Sequence, residues 1–534
     1  MCGLRRAERA SSDAQGHARA PTTWRSPVAL ALVCLTVHGV AHAERWTNSA
    51  SVGAAETYNH YSGPGQPSDG AVTSLTGAVT FDGEGARAKL KGALSGTALI
   101  YAGQGQGGSF APTASVLGQV EAIEKFFWID ATINVSQSYV SPFGPQPANL
   151  TTPTSNRYTS ESYSVSPYIK GILGSQVAYS VRDDSSWTKS LNYGDSVAQP
   201  PSTYWNSFNA TLNSIAGGPA SWSAEYGRQY YNSNADIGTY TLQTFRGIAS
   251  YRLDPQVEVS ARGGYDKDSF PTGGTLGNST QGSFYGGGLH WVPTDRTDLN
   301  GYWEHHYYGS SYSLTMTHRL PNVALNAAFT RGLTSYPQTA LLVPAGVPVA
   351  QFLDAAFATR IPDPVQRAAA VAQFLAQSGL PPTLLSPLNV YSSTITLATT
   401  ETLGAVWVGK LNSVGVSIFR VQNEAVSGQG SALPETLQIA SNYVQTGGEV
   451  SYSHRLSGLT NFVATAAYVA TTPNGGDQTT VGRSRNYNAS TGVSTSFTPK
   501  TTGSVGLTYF IFETEGVGGR SSTLSLYATV SHTF

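Results

Sequence analysis

The last fourteen residues, Ser521–Phe534, read SSTLSLYATVSHTF, and their apolar and polar side chains alternate. Because successive side chains of a β-strand point to opposite faces, this stretch predicts a strand with one apolar and one polar face. The apolar face would carry Leu524, Leu526, Ala528 and Val530, and the polar face Thr523, Ser525, Thr529, Ser531 and Thr533. A bilayer requires such a pattern of a membrane strand, with lipid on one side and water on the other. An edge strand of a soluble sandwich would show the same pattern, so the rest of the chain must decide.

The composition argues against a soluble protein. Only 12% of the 534 residues are charged, about half the share usual in soluble domains. Glycine (57) and tyrosine (29) are abundant, and the composition does not change sharply at any plausible domain boundary. No apolar run of about 18 residues follows the first 43, which excludes transmembrane helices. If the chain spans a membrane, it must do so with strands.

The first 43 residues have the features of a secretory signal peptide. An arginine-rich leader precedes the apolar run Val28–Val37, and Ala41-His42-Ala43 is a small-residue cleavage site. We therefore expect export and a mature chain that begins at Glu44. Both cysteines, Cys2 and Cys34, lie in the leader, so the mature chain has no disulfide or thiol chemistry. Without the leader, 26 basic and 30 acidic residues remain, which gives no support to nucleic-acid binding.

The mature chain, residues 44–534, predicts an all-β fold: a transmembrane antiparallel outer-membrane β-barrel of about 22 strands, with a range of roughly 18–24. Extended segments rich in Thr, Ser, Val, Tyr and Ala alternate with Gly, Pro, Asn and Asp. In Gln256–Asp266, the acids and Arg262 share one face, which indicates a wet interior rather than a packed core. Short turns alternate with longer connections, such as Ser141–Asn156, which we expect to be outer loops.

One segment, residues 337–387, departs from the strand pattern. Apolar residues recur at helical spacing from Val349, and a second helix is predicted after Asp363, its N-cap, with Pro364 at its first position. The two helices would form a hairpin that begins on the extracellular side. It is either a cap outside the barrel or a plug inside it, and we favour the plug because short amphipathic helices need an apolar surface. The candidate plug residues are Phe352, Phe357, Arg367 and Phe374.

The densest polar cluster lies in Gly301–Gly309, where alternate side chains share a face. We predict that Tyr302, Glu304, His306 and Tyr308, together with Glu225 and Arg228, form a polar and aromatic cluster in the lumen. Glu304 and His306 could act as an acid–base pair or as metal ligands, but a hydrogen-bonded network that stiffens the wall is the preferred interpretation. We find no hydrolase or metalloprotease motif, and we predict no catalytic, cofactor or metal site.

Two resemblances accompany these patterns. The end at Phe534 resembles the C-terminal signal by which bacterial outer-membrane barrels are recognised for insertion, although His532 departs from it. Tyr302–Thr339 and Phe352–Leu384 resemble the outer-membrane β-barrel family associated with the PEP-CTERM/exosortase system. The matching residues are Trp303-Glu304-His305, Gly309 and His318-Arg319-Leu320-Pro321, whereas His306 replaces an arginine and Tyr307-Tyr308 replace phenylalanines.

The family resemblance implies a porin-like component of exopolysaccharide export in a Gram-negative outer membrane. Its expected partners are membrane lipid, the barrel-assembly machinery, periplasmic polysaccharide-export proteins and exopolysaccharide. A diffusion porin or another small-solute transport barrel is the main alternative. An outer-membrane hydrolase and a structural anchor for surface material are further alternatives.

Overall fold

A computed structural model describes residues 43–102, 108–191, 200–215, 217–233, 239–270, 280–335, 347–358, 360–378, 380–387, 392, 394–426, 442–474, 482–515 and 519–534. The leader, apart from Ala43, and parts of segment 337–387 lie outside these residues. The strands are β1 Ala43–Ser62, β2 Gly70–Gly85, β3 Ala88–Ala102, β4 Ser109–Ile123, β5 Phe127–Tyr139, β6 Arg157–Leu173, β7 Val177–Leu191, β8 Thr203–Ser214, β9 Ala220–Ser233, β10 Thr239–Asp254, β11 Val257–Lys267, β12 Gln281–Thr294, β13 Thr297–His306, β14 Gly309–Leu320, β15 Val323–Thr334, β16 Val347–Pro348, β17 Thr383–Leu384, β18 Thr396–Val408, β19 Asn412–Ala425, β20 Tyr443–Arg455, β21 Thr460–Pro473, β22 Ser484–Thr498, β23 Thr501–Thr514 and β24 Gly519–Thr533, and the helices are α1 Val349–Phe357 and α2 Pro364–Ser378.

Twenty-two strands, all but β16 and β17, form one antiparallel sheet that closes on itself. Closure occurs between β1 and β24, whose register runs from Ser51 opposite Thr533 to Ser62 opposite Ser522. The predicted antiparallel barrel of about 22 strands with a short two-helix insert is confirmed. The start of β1, the end of β24 and the short turns between strands, except the turn Tyr307-Tyr308, lie at one end of the barrel, the short-turn end. The longer connections and the turn Tyr307-Tyr308 lie at the other, the long-loop end.

Strand β24 shows the alternation that the sequence predicts. Leu524, Leu526 and Val530 are exposed on the outer surface, whereas Thr523 and Ser525 are buried on the inner face. Equivalent apolar positions on the other strands extend this outer surface around the barrel, and they include Val52, Leu75, Val120, Phe245, Leu289, Leu314, Leu403, Ile418, Val450 and Leu507. A soluble sandwich would bury these side chains, so the apolar outer face favours a barrel that is surrounded by lipid.

Several tryptophans lie on this outer surface near strand ends. Trp46, Trp291, Trp303 and Trp407 are all exposed there, where amphipathic rings suit a membrane interface. Trp128 differs, because it faces the lumen. It stacks on Tyr168 at 5.5 Å between ring centroids, and the Lys170 ammonium lies 4.5 Å from the centre of its ring.

The two helices of the insert form where the sequence predicts them. The Asp363 carboxylate accepts hydrogen bonds from the backbone N–H groups of Val365 (2.8 Å) and Gln366 (3.0 Å), so it caps α2. Residues Phe357 and Phe374 meet edge to face at 5.7 Å and hold α1 against α2. Within the described residues, no helix is long and apolar enough to cross a membrane.

The insert lies inside the barrel, against the inner wall at the short-turn end. Its buried apolar residues Val349, Phe352, Leu353, Ala356, Val371, Leu380 and Leu384 form one cluster with Ala324, Val406 and Val408 of the wall. The Arg360 guanidinium donates a hydrogen bond to the side-chain oxygen of Asn322, in the turn between β14 and β15. The insert therefore leaves β15 at the long-loop end and reaches the opposite end of the lumen, as a plug rather than a cap.

The connection between β5 and β6 differs from the expected outer loop. It folds into the lumen, where Gln146, Thr152 and Asn156 are buried. The contacts that hold it come from β1, β22 and β23, far along the sequence.

Candidate functional site

The inner wall bends sharply around β11, β12 and β13, where glycines face the lumen. Arg262 on β11 pairs with Gly286 on β12, and Gly286 pairs with Glu304 on β13. A Cβ at position 286 would lie 2.8 Å from the Cα and 2.9 Å from the Cγ of Glu304. The missing side chain therefore lets Arg262 and Glu304 approach across an intervening strand.

A charged cluster occupies this bend, and we call it the corner cluster: Glu225, Arg246, Arg262, Asp266, Glu304 and His306. The Glu304 carboxylate, which is 0% exposed, lies 3.0 Å from Arg246 Nη2 and 3.3 Å from Arg262 Nε. Arg246 also pairs with Glu225 at 3.3 Å. Because each buried charge faces an opposite charge, the cluster can remain ionised inside the wall.

The histidine of the corner cluster is held on both ring nitrogens. His306 Nδ1 lies 2.5 Å from Asp266 Oδ2, and Nε2 lies 3.1 Å from Glu304 Oε2. Asp266 in turn accepts a hydrogen bond of 2.9 Å from the Thr244 hydroxyl. With both nitrogens engaged by carboxylates, His306 is placed to join β11 to β13 and is poorly placed to exchange a proton with a cargo.

Aromatic rings cover the faces of these polar groups. His306 stacks between Phe284, at 4.4 Å, and Tyr308, at 4.8 Å. The Arg246 guanidinium lies over Phe284 at 5.5 Å, and that of Arg262 lies over Tyr302 at 4.1 Å. Cation–π and ring stacking contacts of this kind fix the long arginine side chains in place.

The structure brings together five of the six residues predicted for the lumen cluster. Glu225, Glu304 and His306 belong to the corner cluster, and Tyr302 and Tyr308 cover it. Arg228 lies outside it, because it has the opposite alternation on β9 and is exposed on the outer face. The prediction did not include Arg246, which comes from β10. Arg262 and Asp266 were recognisable as inner-face residues, but nothing in the sequence pairs them with β13.

A cavity of about 730 Å³ opens beside the corner cluster toward β14, β15 and β18. Glu225, Arg246, Asp266, Tyr302 and Tyr308 line one side of it, and the hydroxyls of Ser313, Thr330 and Thr400 contribute to the other. Polar groups with tyrosine rings are suited to contact sugars or other polar solutes. A group of three or more His, Cys, Asp or Glu side chains that could hold a metal is not found among the described residues.

A second ionic group lies on the inner face of β5 and β7. Arg182 pairs with Asp130 and with Asp184, each at 2.7 Å, and its guanidinium lies 5.0 Å from the ring centre of Tyr168. Asp130 also accepts a hydrogen bond from Gln119 at 3.0 Å. Charged and amide groups are therefore distributed over the lumen wall and are not confined to the corner.

Glycines also make room for the insert. A Cβ at Gly404 on β18 would lie 2.6 Å from Phe352 Cζ, and one at Gly415 on β19 would lie 2.9 Å from a methyl group of Leu384. The predicted plug residue Phe352 thus sits in a notch of the wall. Arg367 binds Asp354 through its Nε at 2.7 Å and so ties α2 to α1.

A polar slot of about 400 Å³ remains between α1 and the inner wall near the short-turn end. Asp354 and Arg367 of the insert face it, together with Asp298 and Arg319 of the wall. The insert narrows the lumen at this end and leaves charged groups along the narrowed part.

Two groups beyond the strand ends have raised pKa values. Burial raises the pKa of Asp268 to about 6, even though hydrogen bonds from the Tyr307 hydroxyl (2.5 Å) and the Gln243 backbone N–H (3.0 Å) oppose this shift. Burial likewise raises the pKa of the Tyr307 phenol, and the nearby Asp268 carboxylate adds to the effect. The pair links the end of β11 to the turn between β13 and β14.

No protein-family model and no curated protein sequence matches this chain. Among solved structures, the chain is similar to the apoprotein form of the FrpB iron transporter from Neisseria meningitidis (F5-1 variant), with 8% identity over 91% of this chain and 81% of that chain and a TM-score of 0.46. It is also similar to OccD3 (OpdP) from Pseudomonas aeruginosa, with 10% identity over 92% of this chain and 94% of that chain and a TM-score of 0.35. Nothing about cargo follows from these similarities.

Proposed function

We propose that the protein is a porin-like channel of the outer membrane whose lumen is narrowed by segment 337–387. The observation that carries this proposal is the packing of α1 and α2 against the inner wall, with Phe352 in the Gly404 notch. The apolar outer face requires lipid, and the charged inner face requires water. We assign the barrel the orientation usual in outer membranes, with the short-turn end facing the periplasm and the long loops facing outward.

The cargo is a polar molecule, and exopolysaccharide is the specific cargo that we propose. The cavity of about 730 Å³ beside the corner cluster supports this, since it combines tyrosine rings with hydroxyl, carboxylate and guanidinium groups. Rings stack on sugar faces, and the polar groups bind hydroxyls. Export would also require periplasmic components that deliver the polymer to the short-turn end. Because His306 is engaged on both nitrogens, we assign no catalytic step to this site.

Conductance in planar bilayers tests the channel. We expect small conductance from the intact chain and much larger conductance when residues 337–387 are replaced by a short Gly-Ser linker. A full-length variant, Gly404→Val, should give an intermediate result because it pushes Phe352 away from the wall. Folding of each variant is checked by the heat-dependent shift of its electrophoretic band. Equal conductance of all three forms, or none in any, would contradict the proposal.

A diffusion porin for small polar solutes is the second candidate. The specific observation that favours it is the slot of about 400 Å³ between α1 and the wall, which is small for a polymer. Swelling of proteoliposomes in mono-, tri- and hexasaccharides separates the two. Swelling limited to the smallest sugars, in both the intact chain and the Gly404→Val variant, would favour the diffusion porin over polysaccharide export.

A further inference from the structure

The connection Val140–Asn156, which we call the inward loop, enters the lumen from the long-loop end between β5 and β6. Phe143 packs against Val421 and Tyr443, on β19 and β20. On another side, the Asn59 side chain of β1 donates a hydrogen bond of 2.9 Å to the Thr151 carbonyl. The loop thus extends from β5 and β6, which it connects, across the lumen to the wall near the β1–β24 closure.

Two asparagines on the inner face of β22 bind the loop backbone as a neighbouring strand would. Asn486 accepts a hydrogen bond from the Gln146 N–H at 2.9 Å and donates one to the Gly144 carbonyl at 3.4 Å. Asn488 accepts from the Ala148 N–H at 3.0 Å and donates to the Gln146 carbonyl at 3.2 Å. The side-chain amides therefore satisfy backbone groups that would otherwise lack partners inside the barrel.

The loop is also braced by Arg157, the first residue of β6, and by its own Asn156. The Arg157 guanidinium donates to the carbonyls of Pro147 (3.1 Å) and Asn149 (2.7 Å). Asn156 accepts from the Ser141 N–H at 2.9 Å and donates to the carbonyls of Ser141 and Pro145. Four prolines restrict the backbone further, at positions 142, 145, 147 and 153. A loop with these bonds is a preformed compact element, not a flexible strap.

We infer that the inward loop is a second restriction of the channel, with Asn486 and Asn488 as the residues that position it. The inference rests on the proposed channel function. The insert narrows the lumen at the short-turn end, where it contacts Gly404 and Gly415. The inward loop narrows it at the long-loop end, on the sector formed by β1 and β19–β23. Since the two elements lie at opposite ends, a solute must pass both in series.

Displacing the insert alone raises conductance, but the largest solute that passes is still set by the inward loop. Releasing the loop alone should change conductance and the size limit little, because the insert still narrows the lumen. Displacing the insert should therefore admit solutes up to the size that the inward loop sets, and only the combination should admit larger ones.

The test uses full-length chains: the intact protein, Gly404→Val, the double variant Asn486→Leu with Asn488→Leu, and all three substitutions together. Asn300→Leu, on the inner face of β13, serves as the matched control. Hydrogen exchange of the peptide covering residues 140–156 reports whether the asparagines hold the loop. Loss of both should speed exchange of the Gln146 and Ala148 amides roughly tenfold, with no change in Asn300→Leu.

Liposome swelling with saccharides of increasing length then reports the size limit. We expect passage of longer saccharides in the triple variant than in Gly404→Val. Unchanged exchange in the double variant would overturn the role of the asparagines. Faster exchange with an unchanged size limit in the triple variant would overturn the restriction while leaving the channel intact. Absence of swelling in every form, with the exchange result as expected, would instead overturn the channel function and the restriction with it.

Discussion

Arg262 on β11 and Glu304 on β13 form an ion pair of 3.3 Å across β12, because Gly286 has no side chain to separate them. Residues on two strands that flank a third strand are normally separated by about twice the spacing between neighbouring strands. The contact thus depends on a bend in the wall and on a glycine at the one position between the two charges. It joins β11 to β13 through side chains, in addition to the backbone hydrogen bonds that each strand makes with β12.

Gly286→Ala should destabilise the barrel. The new methyl group would overlap the backbone of Trp303 and press on Glu304, so we expect a loss of about 1–3 kcal/mol in the free energy of unfolding. Gly77→Ala on β2 is the control, because a Cβ there meets no atom within 4 Å. Urea unfolding in detergent or lipid measures both, and equal effects of the two variants would refute the role of the glycine.

Glu304→Gln should lower the free energy of unfolding more than an equivalent substitution on the surface does. It leaves Arg246 and Arg262 facing a neutral, buried side chain, for which a loss of about 3–5 kcal/mol is typical. Glu124→Gln removes an exposed partner of Arg87 and should cost less than about 1 kcal/mol. The same unfolding measurement compares them. A small effect at Glu304 would mean that the corner cluster does not stabilise the wall.

The notch at Gly404 should couple to the ring of Phe352. Gly404→Val displaces the ring and raises conductance, whereas Phe352→Ala loosens the insert by removing its buried anchor. In the double variant the valine partly fills the space of the missing ring, so its conductance should lie below that of Gly404→Val alone. Single-channel recording measures all three. Additive increases in conductance would show that residues 404 and 352 are not in contact.

Stability should depend on the ionisation of Asp268. Because the folded protein raises the pKa of this carboxyl from 3.8 to about 6, the folded state binds a proton more tightly than the unfolded state. The penalty for the ionised form is complete above the folded pKa and is relieved as the pH falls toward the unfolded value. The intact protein should therefore gain stability relative to Asp268→Asn between about pH 7 and about pH 4.5. Parallel pH curves for the two proteins would contradict this.

The strands could be predicted because their signal is local. Each alternates polar and apolar residues over about ten positions, and a two-residue period needs no knowledge of neighbours. The helices of the insert were predictable for the same reason, as Asp363 and Pro364 mark the start of α2 within the segment itself. Proximity in sequence was a poor guide elsewhere: Arg228 is three residues from Glu225 but faces the other side of the wall.

The arrangement of the lumen could not be predicted, because its contacts join distant parts of the chain. Asn486 and Gln146 are 340 residues apart, and neither residue is unusual in its own stretch. An asparagine on a strand gives no sign that it will bind a loop backbone. Likewise, the glycines at 286 and 404 could mark a bulge, a bend or a close approach, and only the three-dimensional neighbours of each one show which applies.

A closed wall with lipid outside and water inside is tested most directly on β24. The mature chain that we expect contains no cysteine, so single cysteines can be placed at Leu526, Val530, Thr529 and Ser531 and spin-labelled in proteoliposomes. Collision rates with oxygen, which dissolves in lipid, and with a water-soluble nickel complex then report the surroundings of each label. We predict high oxygen and low nickel accessibility at Leu526 and Val530, and the reverse at Thr529 and Ser531. Equal accessibility at all four positions, or nickel access at Leu526 and Val530, would contradict the barrel in its membrane.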